Sequence, residues 1–200
     1  PEELIINTLL LRSMKQAKYT VENSGHFALA FDCYTHFTSP IRRYPDLMVH
    51  RILKPLLRGG PAEGGAKAGG EGYGERLAGI AEQSSRRERA AIDAEREVMK
   101  LMCAEFMMAH LEEEFEGVII GIISSGLFIE LDRYFIEGLI HVTELKDDYY
   151  SLDEDTHALV GERRGAIYRI GDRARVKVTN VSIEQRHIDL SLICRLGPGD

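Results

Sequence analysis

The sequence predicts an α+β chain in which a helical first part is followed by a small closed β-barrel of five strands. Three observations predict it. Apolar residues recur at helical spacing through residues 85–113, the period changes to alternation from Glu116 onward, and a glycine-rich stretch at 59–74 divides the part before them. With 44% hydrophobic and 28% charged residues, the 200 residues suffice for one medium domain, or for a small domain attached to part of another.

In chain order, residues 4–15 read as a helix with apolar positions at Leu4, Ile5, Leu9 and Leu11. The chain starts at Pro1 rather than Met, and the expectation is that it is cut from something larger. Pro40 should interrupt helix before Asp46 to Leu57 resume one. Residues 59–74 hold eight of the nineteen glycines, with Pro61 and few apolar side chains. Such a stretch buries too little surface to offset its backbone entropy, so a mobile connector is expected there. A long helix follows over 85–113, opened by Ser85-Arg86-Arg87-Glu88, the spacing of a capping box. Ile92, Met99, Met102, Phe106 and Ala109 form its expected buried stripe, and Glu95 lies on that stripe. A carboxylate there needs a partner, either Arg42 or Arg96 or water at the rim, unless it has a catalytic role.

From Glu116 onward the runs are short, rich in Ile and Val and separated by glycine. Gly117 to Ile123, Gly126 to Leu131 and Gly138 to Val142 read as three strands. Arg173 to Thr179 and His187 to Leu192 read as two more, divided by the polar turn Glu184-Gln185-Arg186. Five strands with a longer insertion between the third and fourth fit a barrel of the OB type.

Composition limits the function. No apolar run approaches a membrane span, and the start has no basic segment followed by a cleavage site. Cys33, Cys103 and Cys194 are odd in number and never in a C-x-x-C arrangement, so neither a disulfide framework nor a thiolate zinc site is suggested, and a cytoplasmic location is expected. A net charge of -7 argues against a chain that coats nucleic acid non-specifically. Any site for RNA must be local. Residues 40–58 hold Arg42, Arg43, Arg51, Lys54 and Arg58 against the single acid Asp46, so an anion would go there first.

That block contains Thr38-Ser39-Pro40-Ile41-Arg42-Arg43-Tyr44-Pro45-Asp46-Leu47, then His50-Arg51. Pro40 and Pro45 stiffen a turn from which two guanidiniums project, and guanidinium matches phosphate bidentately. The same two arginines could instead pair with internal acids. His26, His36, His50 and Cys33 stand at spacings that match no zinc pattern.

Leu11 to Tyr19, Gly25-His26-Phe27-Ala28-Leu29 and Tyr34 to Leu47 together closely resemble the last part of the catalytic domain of the ribonuclease II and ribonuclease R family, the RNB exoribonucleases. The resemblance implies processive 3′ to 5′ hydrolysis of single-stranded RNA to nucleoside 5′-monophosphates. It implies that Arg42 contacts the scissile phosphate, that Arg43 and Tyr44 shape the site, and that Glu95 corresponds to a glutamate near the family's site. The family's Mg²⁺ ions are held by clustered aspartates upstream of this segment, and no comparable cluster precedes Thr38. The chain alone is therefore expected to be inactive.

Residues 116–193 resemble the RNA-binding domain of the ribosomal protein S-one type, most clearly at Gly126-Leu127-Phe128-Ile129 and Gly138 to Leu145. The resemblance implies base stacking on Phe128 and His141, with Arg175 and Lys177 on the same open face to meet phosphates. Phe128 could equally be core, and His141 a surface histidine bonded to Thr143 or Glu144. Tyr134, Phe135, Tyr149 and Tyr150 add aromatics nearby. The expected organisation is an RNB portion over 1–115, an OB-fold barrel over 116–194 and a tail over 195–200. Single-stranded RNA is the expected partner, with no membrane and no DNA, and exposed helices could self-associate. A non-catalytic RNA-binding adaptor is the alternative, and a protein-binding barrel a third.

Overall fold

A computed structural model of the chain describes residues 6–7, 10–11, 13–59, 72–154 and 156–197. Two compact units are distinguished, one of Lys15–Ala94 and one of Glu95–Asp200 together with Pro1–Met14.

In the first unit the backbone is largely irregular up to helix α1, Tyr44–Leu57. Pro45 lies in the first turn of α1, where its missing N–H has no helical partner to lose. Pro55 lies near the opposite end and helps close the helix. Of the helix expected at 4–15, the described residues 6, 7, 10, 11 and 13 are helical and Lys15 is not. Most of the connector expected at 59–74 lies outside the described residues, but Tyr73 and Gly74 are helical.

Helix α2, Tyr73–Met107, is the long helix, and it begins a full twelve residues before the expected start at 85. Ser85 is therefore not an N-cap. It is buried in mid-helix, its hydroxyl donating to the Ala81 carbonyl at 2.9 Å and accepting the Tyr19 N–H at 2.9 Å. The capping-box pattern misled because Glu75 to Gln83 are, apart from Gly79, mostly good helix formers that carry the helix upstream, and a serine can satisfy itself on the i−4 carbonyl. At its far end α2 stops at Met107, and Met108–His110 form one 3-10 turn.

The expected buried stripe is also corrected. Ile92 is 42%, Met99 57%, Met102 53% and Phe106 45% exposed. The face that packs is instead Cys103, Ala104 and Met107, which join the barrel core. Val98 to Met108 is apolar on nearly every side, so periodicity alone could not choose between faces.

The barrel is the expected one. Strands β1 (Glu114–Ile123), β2 (Gly126–Leu131), β3 (Glu137–His141), β7 (Arg173–Ser182) and β8 (His187–Arg195) close in the order β1-β2-β3-β8-β7. The pairing of β3 with β8 is parallel and every other pairing antiparallel. The insertion between the third and fourth barrel strands folds as its own three-stranded sheet, β4 (Tyr150–Asp153), β5 (Ala158–Gly161) and β6 (Ile167–Tyr168). Alternation drives the closure: Ile119, Leu127, Ile129, Ile140, Val176, Val178 and Leu190 point inward and are almost wholly buried. Each contributes about 1.5–3 kcal/mol of apolar burial. Gly126 opens β2 where the backbone presses on β3. A Cβ there would lie 2.0 Å from the Ile140 carbonyl oxygen, so no other residue fits.

Candidate nucleic-acid interface

Within the 15–94 unit, the prolines do stiffen a turn, but the lock on it is a carboxylate. Arg42 and Arg43 both donate their backbone N–H to the Ser39 carbonyl, at 3.3 and 3.0 Å. Asp46, fully buried in the first turn of α1, accepts the Ser39 N–H at 2.8 Å and the Arg43 guanidinium at 2.9 Å. Burial alone would push the Asp46 carboxyl up, but the Ser39 N–H and the Arg43 guanidinium outweigh it and hold it below the usual aspartate value. Arg43 is thus committed to holding the loop. Arg42, its neighbour, is exposed and has no side-chain partner among the described residues. Of the two adjacent arginines, one is paired with an internal acid and the other is left available to an anion. His50 ties the loop to α1, since its Nε2 lies 2.9 Å from the Phe37 carbonyl and its ring stacks on Phe37 at 4.2 Å.

A depressed carboxylate has a linkage consequence. Asp46 stabilises this unit fully above its unfolded value near 3.8, and that stabilisation is lost as pH falls through the lower folded value. Thermal midpoints followed by circular dichroism are expected to fall more steeply below about pH 4 in the unaltered chain than in Asp46→Asn.

Arg42 opens into a cavity of about 540 Å³ that Tyr19, Tyr44 and one face of α2 also line. A second cavity of about 500 Å³ runs along residues 17–26 and 33–36, and both share Tyr19 and Glu88. The Tyr19 hydroxyl donates to Glu88 Oε1 at 3.2 Å and lies 3.0 Å from His36 Nδ1. Burial first, then the Glu88 charge, push the Tyr19 phenol up to about 12, so it stays a neutral donor. His26 accepts the Leu29 N–H at 3.3 Å, and Cys33 the Asn23 amide at 3.1 Å. Among the described residues, no group of three or more His, Cys, Asp or Glu is gathered so as to hold a metal ion. The described residues therefore do not fit a two-metal site. Glu95 is exposed on α2, with no hydrogen bond or ion pair to Arg96 or any other described residue.

On the barrel, Phe128 alternates with the inward Leu127 and Ile129 and is half-buried on the outer face, not in the core. Its cross-strand neighbours are Gly121 on β1, which carries no side chain, and Leu139 on β3. His141 lies two residues beyond Leu139 on that face, diagonal to Phe128. Its Nδ1 accepts the Thr143 N–H at 3.3 Å and lies 2.8 Å from Thr143 Oγ1, which leaves the Nε2 edge outward. These contacts with Thr143 fix the His141 ring.

Arg175 and Lys177 are not beside this pair. The register sets Arg175 opposite Glu116 and Phe128 opposite Gly121, five positions apart on β1 and on its opposite sides. That is about 16 Å along the strand and ~10 Å across it. Both are also engaged, Arg175 with Glu116 at 2.8 Å and Lys177 with Glu112. The Glu116 carboxylate raises the Arg175 guanidinium above its ordinary pKa. Tyr134 packs with Phe106 and Phe115, and Tyr150 donates to Asp147 at 2.9 Å. Phe135 and Tyr149 are exposed, with Arg163 over the Tyr149 ring.

Sequence reading missed Asp46, Tyr19 and Arg87. Asp46 had a visible signal, as the one acid of the basic block, three residues after Arg43 and just inside a helix start. Tyr19 and Arg87 had none, because they meet the loop across 23 and 45 residues of sequence from Arg42.

Comparison with known proteins bears on both regions. The RNB domain family matches residues 1–59 and the S1 RNA binding domain family residues 110–193. Ribonuclease R 1 of Lactococcus lactis is 47% identical over 194 residues, which is 96% of this chain and 23% of that protein. Ribonuclease R of Escherichia coli is 44% identical over 196 residues, 96% of this chain and 24% of that protein. The apo structure of Mycoplasma genitalium RNase R superimposes with a TM-score of 0.84 at 30% identity, covering 96% of this chain and 29% of that one. The same enzyme in complex with ribose-methylated single-stranded RNA superimposes with a TM-score of 0.82 at 29% identity, again covering 96% and 29%. The chain thus spans about a quarter of the length of the relatives it matches.

Proposed function

The chain joins a segment of an RNB domain to an S1 RNA binding domain and is similar to ribonuclease R along almost its whole length, and from that premise we propose that it is part of a processive 3′ to 5′ exoribonuclease acting on single-stranded RNA. The observation that carries this reading is the division of labour at Arg42 and Arg43. One guanidinium is locked on Asp46 and rigidifies the turn, so the other is presented unpaired at a cavity mouth. A preorganised cation needs no reorganisation when charge develops on a phosphate, which is the condition for transition-state stabilisation. Arg42 grips the scissile phosphate, and Tyr44 shapes the entrance to its cavity. The metals such hydrolysis uses would be held by another part of the longer polypeptide, and the chain by itself does not turn over RNA. On the family resemblance alone, Glu95 is proposed to have a catalytic role in the longer polypeptide.

The barrel guides the incoming strand. Phe128 stands half-buried on the outer face beside Gly121, and the fixed His141 ring stands diagonal to it, an arrangement suited to stacking successive bases without reading them. Arg175 and Lys177, paired with acids, supply at most exchangeable contacts to the backbone further along.

Two measurements test the reading. Phe128→Ala in the whole chain is expected to weaken binding of oligo(A) and oligo(U) alike by about 1–3 kcal/mol, the usual cost of losing one stacked base. Fluorescence anisotropy reads it, and a loss confined to one of the two oligomers would contradict sequence-tolerant stacking. For the nuclease itself, the decisive experiment is replacement of Arg42 in the full-length enzyme.

A further inference from the structure

Besides Arg42 and Arg43 of the sequence motif, the cavity is lined by a third arginine from outside it, Arg87. Ile80, Gln83, Ser84, Arg87, Glu88 and Ala91 line it, and their spacing of three and four makes them one face of α2. Arg87 is exposed and, like Arg42, has no hydrogen bond or ion pair to its side chain among the described residues. Of the arginines nearby, Arg43 is engaged with Asp46 and Arg89 with the Ser85 carbonyl at 3.3 Å, while Arg86 is exposed but lies off the cavity lining. Two unpaired guanidiniums lining one cavity repel each other, and an anion between them removes that repulsion. Glu88, the carboxylate on the same lining, works against an anion but is engaged by the Tyr19 hydroxyl.

We propose that Arg87 is a second phosphate-binding guanidinium and that this cavity holds one nucleotide unit between Arg42 and Arg87. The proposal rests on the reading of Arg42 as a phosphate ligand and deepens it by adding the partner across the cavity. Size and lining agree. A volume of about 540 Å³ is that of a small-ligand site. Tyr44 presents a ring 46% exposed for a base, and the Gln83 amide can both donate and accept. Ala91, one turn beyond Arg87, leaves room for the guanidinium to swing.

The test is calorimetric titration of the full chain with AMP and, separately, with adenosine. The unaltered chain is expected to bind AMP in preference to adenosine, with affinity that falls as salt rises. Arg42→Ala and Arg87→Ala should each weaken AMP binding about tenfold or more, as loss of a charged hydrogen bond does. Arg87→Lys should recover only part of it, since an ammonium lacks the fork. Arg86→Ala, one residue away and off the lining, should change nothing. If Arg42→Ala weakens binding and Arg87→Ala does not, this inference fails while the reading of Arg42 stands. If Arg42→Ala has no effect, both fail, as they do if the unaltered chain binds AMP no better than adenosine.

Discussion

Replacing Arg42 by alanine in the full-length enzyme is expected to lower turnover by about 10²–10³-fold, the range found when one preorganised donor to a developing oxyanion is removed. Affinity for RNA should fall far less, because a single phosphate contact among many contributes little to holding the strand. The split between turnover and binding distinguishes a role at the reacting phosphate from a role in docking. Single-turnover cleavage of an end-labelled oligoribonucleotide, with binding measured in parallel, provides both numbers. Unchanged cleavage would remove the nuclease role assigned to the loop.

Asp46→Ala is expected to destabilise the 15–94 unit by about 3–5 kcal/mol, the cost of removing one partner of a buried ion pair. The carboxylate satisfies the Ser39 N–H and the Arg43 guanidinium together, so its loss leaves two donors without acceptors. Urea unfolding measures the stability change. Asp46→Asn, which keeps one acceptor oxygen, should lie between the two. A further consequence separates this from a purely structural defect: with the turn released, AMP binding at the Arg42 cavity should weaken even in conditions where Asp46→Ala remains folded. A variant that is stable within about 1 kcal/mol of the parent would show that the pair is not what holds the loop.

The barrel was legible because period-two alternation and glycine spacing are local properties of each strand. Every strand that the sequence predicts exists, and the insertion between the third and fourth holds a sheet of its own. The long helix was legible in kind and not in extent. Ser85 looked like a cap because its side chain can satisfy an N–H, but in the fold that N–H belongs to Tyr19, 66 residues earlier in the chain. The stripe of Ile92, Met99, Met102 and Phe106 was a sound helical pattern, yet the barrel selected Cys103, Ala104 and Met107. Which apolar face is buried depends on what lies opposite.

By itself, the sequence determined the class of fold, the five strands, the turn between Pro40 and Pro45 and the presence of two guanidiniums on it, since each follows from backbone restriction and side-chain period within a short window. Only the tertiary structure decided that Arg43 is held by Asp46 while Arg42 is not, that Arg87 shares its cavity, and that Arg175 and Lys177 lie away from Phe128 and His141. Those outcomes turn on long-range pairing and strand register. Charge partners are chosen by distance in space, and a stretch of chain specifies its own conformation far more strongly than it specifies its neighbours.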